Sequence, residues 1–336
     1  MAIKYSIAIP AYNRPEYLRQ AIASCIMQTV EDFEVIVSDD CSSDDLRSVA
    51  DSFHDPRVKY YRTESRLKAA KNHQHAVSRS TGTYVITLNS DDLLLPKCLE
   101  IAGTALNQYL PAAAVYFSCA RLRGAEVQGF HSIPKIHFAD VDTLRENPWL
   151  ESFTNVNPSC CLFRRSAFDL IGGYRTNMRF AYDWEIYMRF LTAGGGVAFL
   201  PQILSIYRMH DEQMIQTSGR EGLYDVLDSW QTEYSHWSAS EIADLILLSC
   251  RRDKRIYELF KELTNRHLVG RVISGIPGAL YRKLRRRIAA SPNELKIEEH
   301  YEEPVNRDDV LQSITMGMQA ILRLCADKMT RLDADT

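Results

Sequence analysis

The first 120 residues alternate between short apolar segments typical of strands and amphipathic segments with helical spacing. The strand-like segments are residues 6–10, 33–38, 58–61, 84–88 and 113–118. The helical segments between them are residues 15–26, 44–53, 70–82 and 96–109. Strands that alternate with helices of this length form a mostly parallel sheet with helices on both faces. We therefore predict an α/β fold for this part of the chain.

Composition narrows the class of protein further. Hydrophobic residues make up 46% of the 336 residues and charged residues 25%, as in ordinary folded soluble proteins. The formal net charge of −3 favours no nucleic acid partner. No apolar run approaches the roughly 20 residues of a membrane span, and the N-terminus leads into the first strand without a signal peptide. We expect a cytoplasmic protein with one domain over residues 1–219 and a mainly helical region over 220–336.

Three short loops follow predicted strands, and they are residues 11–14, 39–45 and 89–92. In open α/β sheets the ligand binds beyond the carboxyl ends of the strands, so these loops mark the expected site. The second and third loops are rich in carboxylates. The chain has no GxGxxG and no GxxxxGK[ST] motif, which argues against a dinucleotide site and a Walker-type phosphate loop.

Two acidic pairs are the main candidates for chemistry. Adjacent carboxylates such as Asp91 and Asp92 repel each other unless a cation or hydrogen-bond donors compensate them. Oxygen ligands of this kind suit Mn²⁺ or Mg²⁺ bound together with phosphate. At the earlier pair, Asp40 can accept a hydrogen bond from a base N–H or a ribose hydroxyl. The alternative for both pairs is a capped turn before the next helix.

Seven motifs in a fixed order carry a resemblance to a known family. They are SIAIPAYNR (6–14), EVIVSDDCS (34–42), AAKN (69–72), GTYVITLNSDD (82–92), GGY (172–174), DWEIYMR (183–189) and YRMH (207–210). Over roughly residues 4–218 the chain resembles a family 2 glycosyltransferase with the GT-A fold, of the inverting type found in bacterial polysaccharide synthesis. The resemblance implies a mostly parallel sheet sandwiched by helices.

The resemblance also implies roles for individual residues. Asp183 would be the general base, and Asp92, with His210, would ligate Mn²⁺ or Mg²⁺. A nucleotide-sugar donor would contact Pro10, Ala11, Tyr12, Arg14, Asp40, Lys71, Asn72, Ser90, Asp91 and Arg208. Asp91 would contact the ribose or the metal, and Arg208 would lie near the diphosphate. The family often has Glu-Asp where this chain has Tyr182-Asp183, so Glu185 remains a rival for the base, and a helix N-cap is the structural alternative for Asp183.

The chemistry that these roles imply is a single in-line displacement at the anomeric carbon, which inverts its configuration. A UDP-sugar is the favoured donor and a dTDP-sugar the next. The acceptor would be a saccharide or a lipid-linked saccharide in surface polysaccharide or glycoconjugate assembly. Two alternatives stay open: a non-catalytic nucleotide-sugar-binding protein, and a nucleotidyltransferase. The latter normally has a glycine-rich basic loop after the first strand, where this chain has residues 11–14.

One segment outside the resemblance, residues 269–288, suggests a separate function. Residues 269–288 carry an apolar stripe at helical spacing, and five basic residues lie between Arg282 and Arg287. This pattern predicts a helix at the surface of an anionic membrane. The alternative is a helix packed on the catalytic domain with a solvated basic face. The glycines and the proline at 275–278 interrupt the stripe and favour two pieces.

Overall fold

The computed structural model describes residues 4–147, 150, 156–178, 180–211, 213 and 301–307, and the single residues 311, 321 and 325. Its strands are β1 (Tyr5–Ala11), β2 (Phe33–Asp39), β3 (Val58–Arg62), β4 (Tyr84–Thr87), β5 (Leu93–Leu94), β6 (Ala114–Arg123), β7 (Glu126–Phe130), β8 (Ile133–Pro134), β9 (Phe138–Ala139), β10 (Cys161–Arg164), β11 (Val197–Met209) and β12 (Tyr301–Glu302). Its helices are α1 (Pro15–Ile26), α2 (Leu46–Asp51), α3 (Ala69–Ser78), α4 (Cys98–Gln108), α5 (Val141–Glu146), α6 (Arg165–Leu170) and α7 (Tyr182–Thr192).

One large sheet dominates the described part of the chain. Its strand order is β3-β2-β1-β4-β10-β6-β11-β5, with β7 added beside β6 and β9 beside β11. Strands β1 to β4 run parallel to one another, whereas β10 is antiparallel to both of its neighbours, β4 and β6. Strand β11 returns to the parallel direction beside β6. The carboxyl ends of β1, β2, β4, β6 and β11 therefore meet at one edge.

Apolar side chains on the two faces of this sheet form two separate cores. Adjacent strand residues alternate between them: Ile7 and Ile86 face the core with α1, α2 and α4, while Ala8 and Val85 face the core with α3, α6 and α7. Helices thus cover both faces, as a central parallel sheet requires. The predicted α/β fold is confirmed, and most predicted strands lie within two residues of the observed ones.

Strand β11 is the element least visible in the sequence, and it is the longest strand described. Its pairing with β6 shifts register between Leu200 and Ile203 and again before Ser205. At this irregularity the Asn306 side chain accepts from the Ile203 N–H at 2.9 Å, and the Val305 N–H donates to Pro201 O at 2.9 Å. A piece of the region predicted as mainly helical therefore packs on the sheet, and it includes strand β12 beside β8.

Two further predictions, on membrane spans and on the C-terminal region, concern residues that the structure describes only in part. Among the described residues, no helix combines the length and the apolar character that crossing a bilayer requires. The stripe at 269–288 lies outside the described residues, as does nearly all of the region from 220 onward.

Candidate functional site

The loop after β1 turns the chain sharply into α1. Asn13 and Arg14 both have left-handed backbone conformations, with φ of 54° and 60°, which residues other than glycine adopt mainly in tight turns. The Asn13 N–H donates to Ser42 Oγ at 2.8 Å, and Asn13 Oδ1 accepts from the Ser43 N–H at 3.0 Å. These bonds tie the first predicted loop to the second at the carboxyl edge of the sheet.

The three predicted nucleotide residues at the end of β1 have different environments. Pro10 and Ala11 are buried in the strand, and the Ala11 carbonyl accepts from the Asp40 N–H at 2.9 Å. Tyr12 is 36% exposed, and the Arg66 guanidinium lies 3.8 Å from its ring centroid. Tyr12 therefore offers an exposed aromatic surface at the carboxyl edge of the sheet, whereas Pro10 and Ala11 are buried in the strand that ends there.

The first acidic pair, after β2, is held by the protein itself. Asp39 is fully buried and pairs with the Arg62 guanidinium at 2.9 Å, and it also accepts from the Tyr60 hydroxyl and the Ser42 N–H. Asp40, only 3% exposed, accepts from the N–H groups of Leu67 at 2.5 Å and Lys68 at 2.9 Å. The pair thereby fixes the loop that leads into α3.

Helix α3 contributes one buried and one exposed candidate. Asn72 accepts from Ser38 Oγ at 2.6 Å and donates to Ser38 O at 3.0 Å, so it joins α3 to the end of β2. Lys71, its neighbour, is exposed to solvent. Lys71 is thus available to an anionic ligand, while Asn72 holds the strand ends in place.

In the second acidic pair, after β4, the protein surrounds one member with donors. Asp92 has no exposed surface, and its carboxylate accepts from Ser159 Oγ at 2.7 Å, the Arg208 N–H at 3.1 Å, Asn157 Nδ2 at 3.2 Å and Asn89 Nδ2 at 3.3 Å. Burial, followed by the charge of Asp91, raises the pKa of Asp92 above that of an ordinary aspartate. A fully enclosed carboxylate of this kind organises the loop.

The other member of this pair, Asp91, is open. Its side chain is 21% exposed, and Oδ2 lies 3.1 Å from His210 Nε2 and 3.8 Å from Arg14 NH1. Ser90 beside it is partly exposed. Strand β11 delivers His210, because its main chain is anchored to Asp92 two residues earlier. The arrangement favours Asp91, rather than the predicted Asp92, as the carboxylate that a cation can reach.

Arg208, predicted to lie near the diphosphate, uses its side chain to join β11 to α1. The guanidinium donates to Gln20 Oε1 at 2.6 Å and to Tyr17 O at 3.2 Å, and Nε donates to Asp91 O. It also lies 4.6 Å from the Tyr17 ring centroid. Burial lowers the pKa of Arg208 from its ordinary value. Its positive charge therefore lies beneath the Asp91 loop.

Two acidic residues at the start of α7 are rivals for the general base, and their environments differ. Glu185 is fully buried, and its oxygens pair with Arg175 Nε at 2.9 Å and Arg189 NH2 at 2.6 Å. Asp183 accepts from the Trp184 N–H at 2.8 Å and pairs with no cationic side chain among the described residues. Burial raises the pKa of Asp183 to about 6.

Sequence reasoning missed the side chains that support the acidic loop. Asn89, Asn157 and Ser159 enclose Asp92, and the Asn157–Pro158 turn that supplies two of them was the available signal. His73 on α3 was also missed: Nε2 lies 3.2 Å from Asn89 Oδ1 and Nδ1 lies 3.0 Å from Ala69 O. Burial lowers the pKa of His73 to about 4.

The described residues fit a divalent cation only with help from a ligand. No three of their His, Cys, Asp or Glu side chains cluster closely enough to hold a metal alone. Asp91 and His210 offer one oxygen and one nitrogen 3.1 Å apart. Mg²⁺ and similar ions are commonly held by one or two carboxylates together with substrate phosphates, so this donor set suits Mn²⁺ or Mg²⁺ with a diphosphate.

Comparisons with known proteins agree with this architecture. Residues 6–172 match the family described as Glycosyl transferase family 2. An uncharacterized glycosyltransferase of Rickettsia typhi is 26% identical over 216 residues, 63% of this chain and 66% of that protein. The Campylobacter jejuni GalNAc(5)-diNAcBac-PP-undecaprenol beta-1,3-glucosyltransferase is 36% identical over 108 residues, 31% of this chain and 35% of its own length. The matches thus span less than two thirds of these relatives.

Solved structures show the same fold. Staphylococcus aureus TarS superposes with a TM-score of 0.63 at 15% identity, covering 84% of this chain and 53% of that chain. The structure of TarS 1-349 in complex with UDP-GlcNAc gives a TM-score of 0.58 at 16% identity, over 84% of this chain and 90% of that chain. The chain therefore belongs to glycosyltransferase family 2, and its sheet domain has the GT-A fold.

Proposed function

We propose that the chain transfers a sugar from a nucleotide-sugar donor to an acceptor hydroxyl and inverts the anomeric centre. The observation that carries this proposal is the contrast at the start of α7, where the Asp183 carboxylate has no cationic partner among the described residues while Glu185 is fully engaged. A UDP-sugar is the favoured donor and a dTDP-sugar the next. The complex of the TarS relative with UDP-GlcNAc supports a uridine donor.

Donor recognition is assigned to the strand ends that converge at the carboxyl edge. The exposed ring of Tyr12 offers a stacking surface for the base, and Asp40, whose N–H donates to the carbonyl of Ala11 next to Tyr12, follows the end of β2. Arg14 and Lys71 are the cationic side chains on the neighbouring loop and helix that can face phosphate. Pro10, Ala11 and Asn72 shape the floor of the pocket, and Ser90 lies beside the diphosphate end.

A divalent cation, Mn²⁺ or Mg²⁺, would be held by Asp91 and His210. When bound, it would neutralise the negative charge that develops on the departing diphosphate. Asp92 supports this role indirectly, because it fixes both the loop that carries Asp91 and the main chain of Arg208. The buried guanidinium of Arg208 adds positive charge beneath the same loop.

The chemical step requires a base on the acceptor side of the sugar. The Asp183 carboxylate takes the proton of the acceptor hydroxyl as that oxygen bonds to the anomeric carbon. The bond from this carbon to the diphosphate breaks, and the nucleoside diphosphate leaves with the bonding electrons. A base with a pKa of about 6 is ionised at neutral pH and still basic enough to assist, which is the range that general bases use.

The acceptor is proposed to be a saccharide or a lipid-linked saccharide in surface polysaccharide assembly. The name of the C. jejuni relative describes a polyprenyl-linked acceptor, which supports a lipid-linked one. Residues 269–288 would then provide peripheral contact with an anionic membrane for a cytoplasmic enzyme. Sedimentation with anionic vesicles at low salt, lost at high salt and in a variant with Arg285, Arg286 and Arg287 replaced by Glu, is the expected result. Wild-type protein that ignores such vesicles contradicts it.

The experiment that tests the function is a screen of nucleotide sugars for released nucleoside diphosphate, with and without Mn²⁺. We expect slow release from one UDP-sugar or dTDP-sugar and a strong increase with Mn²⁺. A protein that binds such donors but releases nothing, with any saccharide acceptor offered, would be a non-catalytic binding protein. Release of pyrophosphate from a nucleoside triphosphate and a sugar phosphate would identify a nucleotidyltransferase.

A further inference from the structure

Tyr182, the first residue of α7, belongs to an aromatic cluster beside the site. Its ring centroid lies 4.9 Å from that of His73 and 5.9 Å from that of Tyr174. The Tyr174 hydroxyl is satisfied, because it shares a hydrogen bond of 2.8 Å with Thr87 Oγ1. Within the ranges that the structure describes, the Tyr182 hydroxyl has no hydrogen-bond partner. The ring is buried, whereas the hydroxyl oxygen is not among the buried atoms that lack a partner, so it reaches solvent and is available to a ligand.

Tyr182 lies near two groups that the proposed reaction uses, the base Asp183 and the acidic loop that carries Asp91. It precedes Asp183 in the chain, and its ring packs on His73, which lies 3.2 Å from Asn89 in the acidic loop. Burial, together with the charges of Asp183 and Asp91, raises the pKa of the phenol well above the usual value. Tyr182 thus brings a neutral hydroxyl group to the neighbourhood of both the proposed base and the acidic loop.

In an in-line displacement, the sugar lies between the departing diphosphate and the base. A side chain near both the acidic loop and Asp183 is therefore placed to flank the sugar, rather than the nucleoside or the distant part of the acceptor. We propose that the Tyr182 hydroxyl hydrogen-bonds a hydroxyl of the sugar that is transferred, and so helps to select the donor. This inference rests on the proposed function.

The chemistry of the side chain gives this position its selectivity. A phenol can donate one hydrogen bond and accept others, whereas an ionised carboxylate at this position could only accept. A third carboxylate beside Asp91 and Asp183 would add repulsion and raise the pKa of the base further. The tyrosine therefore allows a donor contact to the sugar without adding negative charge to the site.

The test compares binding of UDP, UDP-glucose and UDP-N-acetylglucosamine by calorimetry in the presence of Mn²⁺. Tyr182→Phe removes only the hydroxyl. It should weaken binding of the UDP-sugar that the wild type prefers by roughly 3- to 10-fold, the worth of one neutral hydrogen bond. Binding of UDP itself should stay the same. Tyr174→Phe is the matched control, since it removes a hydroxyl from the same cluster that is bonded to Thr87.

The possible outcomes distinguish this inference from the proposed function. If Tyr182→Phe leaves the preferred UDP-sugar bound as tightly as in the wild type, the inference is wrong. It is equally wrong if UDP and the UDP-sugar weaken by the same factor, or if Tyr174→Phe gives the same loss, because the cluster would then act through packing. If the wild type binds neither UDP nor either UDP-sugar, the proposed donor class fails and takes this inference with it.

Discussion

The acidic loops after β2 and β4 look alike in sequence and differ in how fully the protein compensates their charge. At the first loop, Arg62, Tyr60 and main-chain N–H groups engage both Asp39 and Asp40. At the second, neutral donors enclose Asp92, whereas the carboxylate of Asp91 stays partly exposed beside His210 and Arg14. Negative charge that remains open lies at the second loop, which is where a cation and a diphosphate would bind.

The same division recurs at the start of α7. Glu185 is enclosed by two arginines, whereas Asp183 has no cationic partner in the described part of the chain. We therefore assign a structural role to Glu185 and propose the chemical role for Asp183. In both the second and the third set, the residue proposed for chemistry is the one that the protein encloses less.

The largest effect is expected at this third set. Asp183→Asn should lower the turnover of transfer by about 10²- to 10⁴-fold with nearly unchanged donor affinity, because a general base acts in the transition state. Steady-state kinetics with the donor found in the screen would measure it. Glu185→Gln should instead lower the free energy of unfolding by about 3–5 kcal/mol, because it leaves buried arginine charge uncompensated. An inactive but stable Glu185→Gln variant with an active Asp183→Asn variant would reverse the two roles.

The pH dependence of kcat/KM tests the assignment of Asp183 as the base. Because the pKa of Asp183 is raised to about 6 and the base must be ionised, kcat/KM should be level near neutrality. Below about pH 6 it should fall roughly tenfold per unit as the carboxylate gains its proton. A profile that stays level down to pH 5, at a pH where circular dichroism shows an intact fold, would contradict this assignment.

The second acidic pair should respond to substitution in opposite ways. Asp92→Asn replaces an acceptor with an amide that faces four donors, and should lower the free energy of unfolding by roughly 1–3 kcal/mol. Asp91→Asn, at a partly exposed side chain, should change it by less than about 0.5 kcal/mol. Urea denaturation measures both. Equal losses of stability would mean that the two carboxylates share one structural role.

The smallest effect is expected at the first acidic pair. Arg62 is 44% exposed, so solvent screens its charge and Arg62→Ala should lower the free energy of unfolding only slightly even though Asp39 is buried. Asp39 retains the Tyr60 hydroxyl and the Ser42 N–H in this variant. Denaturation by urea again provides the measurement. A loss of several kcal/mol would show that the compensation of this pair depends on the single arginine.

Periodicity sufficed to predict the fold, and motif order sufficed to predict the family. Apolar spacing located β1, β2, β4 and the helices around them, because buried parallel strands leave a clear pattern of short apolar runs. Strand β11 was harder to predict, because its pairing shifts register near Pro201 and its irregular part is held by Asn306, more than a hundred residues later. Contacts this distant in sequence leave no local pattern.

The candidate site could be located from the sequence but not resolved into roles. Strand ends indicated where the acidic residues would gather. Which of Asp91 and Asp92 is open depends on Asn157, Ser159 and the main chain of β11, none of which lies near them in sequence. Likewise, the position of Tyr182 near the acidic loop follows from the packing of its ring on His73, a contact that only the folded chain makes.

The most direct test of the difference between the acidic loops is calorimetry of UDP binding with and without Mn²⁺. Wild-type protein should bind UDP more tightly with Mn²⁺. Asp91→Asn should lose this enhancement while remaining folded, and Asp92→Asn, measured where it is still folded, should keep most of it, because Asp92 acts on the cation only through the loop. Retention of the enhancement in Asp91→Asn together with its loss in Asp92→Asn would contradict the assignment and make the enclosed carboxylate the metal ligand.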